Sequence, residues 1–190
     1  MTVVALLPPK TKGIGTKSTN PWLILVLFVT VSTMLRSTEV DVYFSPNGGA
    51  TAAVVREIND AKREILIQAY SFTSVPIASA LVAAYKRGLK IEAILDKTNL
   101  KETYSSLTFL EHAGIPVYID AQVKIAHSKI MIIDDSEVIT GSFNFTKAAE
   151  NHNTENLLII KSDSVLVAKY LANYRWRLGL STPQDTQIPK

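Results

Sequence analysis

His127 and Lys129 stand two residues apart in the run His127-Ser128-Lys129-Ile130-Met131-Ile132-Ile133-Asp134, and Gly141-Ser142-Phe143-Asn144 follows closely. A neutral imidazole is a nucleophile and a lysine is a compact cation, so together they can attack and hold a phosphate ester. As a strand over 127–133 the first run alternates with period two, which sends His127 and Lys129 to one face where both reach the same anion. Ser142 and Asn144 repeat that spacing, with Phe143 and Phe145 on the other side as apolar anchors. Asp134 lies seven residues after His127 and so has the opposite parity, which suits a supporting role at the turn Asp134-Asp135-Ser136.

Residue type alone would assign duller roles to most of these groups. His112, at a helix end before Gly114, reads as an ordinary structural or exposed histidine. His127 differs, because a lysine two residues on in an otherwise apolar strand needs an explanation. Ser142 and Asn144 are turn residues by type, and only their place beside His127 makes them candidate substrate-binding groups. His152 with Glu150 and Glu155 raises a metal site, but the spacing matches no strict ligand pattern. No metal and no other cofactor is expected.

The pattern H-x-K-x4-D, then six residues and G-S-x-N, resembles the signature of the phospholipase D superfamily without gap or substitution. The resemblance extends to Asn153-Thr154-Glu155-Asn156 and, more loosely, to Ile65-Leu66-Ile67-Gln68-Ala69-Tyr70-Ser71-Phe72-Thr73, and so covers nearly everything after residue 40. The wording from Gly141 to Glu150 looks most like the small bacterial endonucleases of that superfamily. It implies metal-independent chemistry through a covalent phosphohistidine on His127. Lys129, Asp134 and Glu155 join the histidine in the catalytic set, with Glu155 orienting the imidazole. Ser142, Asn144 and Lys129 would hold the substrate phosphate.

Larger members carry the motif twice, whereas this chain has no second H-x-K. A homodimer that pairs two copies of His127 across a two-fold axis is therefore expected. The substrate expected is nucleic acid, with a phospholipid headgroup ester as the alternative. A catalytically dead phosphate-binding module is disfavoured by the intact His127, Lys129 and Asn144.

The elements that must position these residues read as an α/β fold: a mostly parallel mixed β-sheet flanked by helices. Val40–Phe44 is a first strand, Thr51–Lys62 a helix, Ile65–Tyr70 a buried strand, Pro76–Arg87 a helix and Lys90–Asp96 the next strand. This βαβ rhythm implies parallel pairing. A helix over Tyr104–His112, strands at 117–119, 127–133, 137–140 and 156–160, and a closing helix over Ser164–Leu178 complete the body. On that last helix Val165, Ala168, Leu171, Ala172 and Trp176 are expected to face inward.

Composition sets the outer bounds. At 190 residues the chain has room for one domain over 37–190 and a leader over 1–36. Four of the 20 basic residues, Lys10, Lys12, Lys17 and Arg36, lie in the leader, so the remaining 16 face 17 acidic residues and the body is close to neutral. Any grip on a polyanion must then be local, around Lys124, Lys129 and Lys147. There is no cysteine, which excludes a disulfide scaffold and a thiolate metal site. Residues 22–35 form an apolar run that reaches roughly 21 Å as a helix, short of a ~30 Å hydrocarbon core. An export signal is the favoured reading, giving a periplasmic or secreted bacterial protein; membrane anchoring through 22–35 is the alternative.

Overall fold

A computed structural model describes residues 37–102 and 105–184. The leader and its apolar run fall outside them. Among the described residues no helix is long and apolar enough to cross a membrane. The elements are β1 (Glu39–Ser45), α1 (Ala50–Asp60), β2 (Glu64–Ala69), α2 (Val75–Lys86), β3 (Lys90–Asp96), α3 (Leu107–His112), β4 (Val117–Asp120), β5 (Lys129–Ile133), β6 (Glu137–Gly141), α4 (Lys147–Asn151), β7 (Glu155–Lys161), α5 (Ser164–Leu178) and β8 (Thr182–Pro183).

The strands form one sheet in the order β1-β7-β6-β5-β2-β3-β4-β8. The mixed α/β sheet is as expected, but its balance is reversed. Only β2–β3 and β3–β4 are parallel; the other five neighbour pairs are antiparallel. The first half follows the βαβ rhythm, with α2 as the crossover between β2 and β3. In the second half β5 turns directly into β6 through Asp134-Asp135-Ser136, and such short connections join only antiparallel neighbours.

Helices cover both faces. Ile65, Ile67, Met131, Ile133, Ile139, Leu157 and Ile159 pack under α1, α2 and α3 in the larger core, while Leu66, Ile94, Ile130, Ile132 and Val138 meet α5 in the smaller one. The alternation along β2 and β5 divides their side chains between these two layers. On α5 the expected inward face is wrong: Val165 and Trp176 are exposed, Ala168 and Ala172 also face solvent, and Leu171 is half-buried. The buried positions are Val167 and Tyr174, with Tyr170, Leu171 and Leu178 packed beside them. Apolar residues lie all round this helix, so the sheet rather than the helix pattern selects the face.

Candidate active site

Four chain segments meet at one end of the sheet, where β2 and β6 finish and β5 and β7 begin. The register pairs Ala69 with Lys129, Ile130 with Thr140 and Gly141 with Leu157, so His127, Lys129, the Gly-Ser-x-Asn segment and Glu155 arrive at the same edge. The carboxyl ends of the parallel strands β2, β3 and β4 lie at this edge too, the usual place for a site in an open α/β sheet.

His127 precedes β5 rather than lying in it, and its neighbours are clamped. The Ala126 N–H donates to Asp96 Oδ2 at 2.7 Å, and the Tyr70 N–H donates to the Ser128 carbonyl at 3.1 Å. The exposed imidazole packs on Tyr70 with ring centroids 4.6 Å apart. Lys129 is buried, at 6% exposure, and its Nζ lies 5.2 Å from the centroid of the same tyrosine ring. Nζ donates to the His127 carbonyl at 2.6 Å, which leaves two of the ammonium's three protons for an anion. Burial lowers the Lys129 pKa, and the Glu155 carboxylate opposes that shift by favouring the charged form. His127 and Lys129 thus both lie against Tyr70, although His127 stands outside the strand from which their shared face was expected. Tyr70 and Asp96 were missed from sequence alone; their only signal was the loose upstream likeness around Tyr70 and a carboxylate ending a strand.

Ser142 and Asn144 sit where expected, but Ser142 has structural work. Its N–H donates to Asn156 Oδ1 at 3.0 Å, and its Oγ accepts the Asn156 N–H at 3.0 Å. Phe143 and Phe145 anchor the segment in the core. Asn144 Oδ1 is buried and has no hydrogen-bond partner among the described residues; a phosphate could meet only the Nδ2 donor of this amide. Glu155 is at the site, yet its carboxylate takes a hydrogen bond from Asn153 Nδ2, at 3.1 Å, rather than from His127. Its effect here is electrostatic, through Lys129.

Asp134 lies apart from the other candidate residues. It follows Ile133 at the far end of β5, about 16 Å from Lys129 at ~3.3 Å per residue. Its carboxylate accepts the N–H groups of Lys62, Arg63 and Glu64 at 2.7, 2.7 and 3.0 Å. Burial pushes the Asp134 pKa up, but these backbone donors and the Arg63 charge outweigh it and hold the group below the usual carboxylate range. Glu150 is also engaged elsewhere, accepting the N–H groups of Gly49 and Thr51 at the start of α1. Among the described residues no three His, Cys, Asp or Glu side chains gather as metal ligands.

The displacement of Asp134 makes a prediction. Asp134→Ala should lower stability by about 2 kcal/mol at neutral pH, while folded molecules keep activity within a few-fold of the parent. Because the folded pKa is depressed, the stabilisation is present above the ordinary carboxylate pKa and is lost as pH falls through the lower folded value. Urea unfolding at pH 7 and in acid should therefore show a gap that narrows in acid. A variant that is fully stable but inactive would show that Asp134 serves catalysis rather than the fold.

An exposed imidazole and a buried lysine with two uncommitted protons at one sheet edge suit the handling of a phosphoryl group. The comparisons make the class specific. The family described as cardiolipin synthase, PLD-like domain, matches residues 54–178. A phospholipase D of Rickettsia felis is 44% identical over 144 residues, covering 76% of this chain and 71% of that one. The crystal structure of Nuc, a phospholipase D family member from Salmonella typhimurium, superposes with a TM-score of 0.75 at 36% identity, over 79% of this chain and 100% of that one. NucT from Helicobacter pylori gives 0.72 at 26% identity, over 78% and 100%. The chain belongs to the phospholipase D superfamily and is a phosphodiesterase of that superfamily.

Proposed function

We propose that the protein is a metal-independent endonuclease of low sequence specificity, working as a homodimer through a covalent phosphohistidine. The observation that carries the chemistry is the convergence of exposed His127 and buried Lys129 on Tyr70. One His127 attacks phosphorus and the bond to the leaving oxygen breaks. The second His127, from the partner, gives that oxygen a proton, then takes a proton from the water that displaces the first histidine. Lys129 and Asn144 hold the non-bridging oxygens. Lys129 supplies fixed positive charge where an ion would otherwise be needed, and the metal-free route rests on that. The two-chain site rests on the single H-x-K motif.

Nucleic acid is favoured by what surrounds His127. The cavity beside it is lined by Gln68, Asp120, Ser128, Asn173 and Arg177 as well as apolar groups, with no Phe, Tyr or Trp among the lining residues. Tyr70 also borders a shallow hollow lined by Ser71, Thr98, Lys101 and Glu102. Lys97 is tied to the cavity's loop through Val123 O, and Lys124 stands exposed on that loop. Lys147 instead borders a separate hollow with Thr73, Ser74 and Glu150. A phospholipase D reading is supported by the relatives, since several Rickettsia proteins similar to this chain are phospholipases D and the matching family is described as cardiolipin synthase, PLD-like domain.

Hydrolysis of DNA, RNA and phosphatidylcholine should be measured side by side in excess chelator. Cleavage of nucleic acid with no more than trace release of choline is the expected result. Choline release alone would transfer the proposal to the lipid, and loss of all activity until a divalent ion is restored would overturn the metal-free route.

A further inference from the structure

The cavity beside His127 has about 170 Å³ of space and is closed by the ends of β2, β3 and β4, the loop 121–128 and α5. Gln68 is the odd residue in it. Its side chain lies on the α5 face of β2, where Leu66, Ile94 and Ile130 are apolar neighbours, and it is only 5% exposed. Gln68 Oε1 has no hydrogen-bond partner among the described residues. A buried amide oxygen without a partner is costly, and a leucine would suit this position better if packing were its only task. The carboxylate in the cavity is already engaged: Arg177 Nε donates to Asp120 Oδ2 at 2.8 Å, and Nη2 reaches the same oxygen. Asn173 adds a second amide from the exposed side of α5.

The lining is therefore neutral in sum, has donors and acceptors on two amides, and has apolar side chains in Ile94, Val123 and Ile125. A quaternary ammonium headgroup would want an aromatic cage or an uncompensated carboxylate, and neither is there. A phosphate would want uncompensated positive charge. A nucleobase fits, because its edge alternates donors and acceptors as an amide does, and its faces are apolar. We infer that this cavity receives the base of a nucleotide next to the bond cleaved at His127, with Gln68 and Asn173 reading its edge. The inference rests on the endonuclease reading above. It carries a consequence for the substrate: a base can enter only when it is unstacked, so single strands are cut in preference to duplex.

The test is a cleavage map on single-stranded oligonucleotides of mixed sequence, with all four bases represented at every position, for the parent, Gln68→Leu and Asn173→Ala. The parent should show a base preference of about tenfold at one position beside the cut, the scale of one good amide–base pair. Both variants should flatten it. Gln68→Leu should also raise the melting temperature, because it relieves a buried unpartnered amide, while the exposed Asn173→Ala leaves folding intact. Cleavage with no base preference in the parent, or a preference unchanged in both variants, overturns the base site while leaving the nuclease reading standing. A parent that cleaves no nucleic acid, but shows a headgroup preference that shifts in Gln68→Leu, overturns both.

Discussion

His127→Ala is expected to lose about four orders of magnitude or more in phosphodiester hydrolysis, since it removes the proposed nucleophile outright. Stability should barely change, because the ring is exposed, with Tyr70 packed beside it at 4.6 Å. Activity assays with purified protein and a urea melt check both halves; a folded variant with substantial turnover would remove His127 from the mechanism. The same variant counts subunits. When it is exchanged with active chains, a site needing His127 from two chains loses activity as the square of the active fraction. A linear decline under verified exchange would mean that each chain carries a site of its own.

Gly141→Ala should be the most damaging small substitution at the site. Gly141 has φ 149°, and an added Cβ would lie 2.2 Å from the Asn156 carbonyl oxygen and 2.9 Å from Asn156 Oδ1. Backbone must move to admit it, and Asn156 is the group that clasps Ser142. A loss of about 3 kcal/mol is expected, which for a chain of this size is a fall in Tm of roughly 6–12 °C. Activity should fall even in the folded fraction as Ser142 and Asn144 are displaced. Thermal melts and assays below the transition test this, and a variant matching the parent in both would show that β6 and β7 do not need their close approach.

Local pattern made much of this legible. β3 and α5 fall on Lys90–Asp96 and Ser164–Leu178 as the sequence predicts, because apolar spacing and the flanking stop signals are local. His127, Lys129, Ser142, Asn144 and Glu155 reach one edge because a short motif fixes their places on adjoining strands. Pairing partners were not legible. β1 lies beside β7 and β5 beside β2, choices made across sixty residues or more, on which local periodicity is silent. Burial without neighbours also misplaced the inward face of α5. The bond of Glu155 to Asn153 rather than to His127, and the support of His127 by Asp96 and Tyr70, depend on side chains that meet only after the sheet has formed.

β5 is fastened to the rest of the sheet at both ends: the Tyr70 N–H holds the Ser128 carbonyl at one, and Asp134 holds the backbone that opens β2 at the other. The interval between histidine and aspartate in the motif is thus a ruler, cut to the length of the neighbouring strand. Substitutions inside it change packing. An insertion or deletion of a single residue would do something different in kind, because one end would have to let go or every side chain between would change sides of the sheet. Descendants of this chain should therefore keep Lys129 and vary in the apolar letters between it and Asp134, yet almost never in their number.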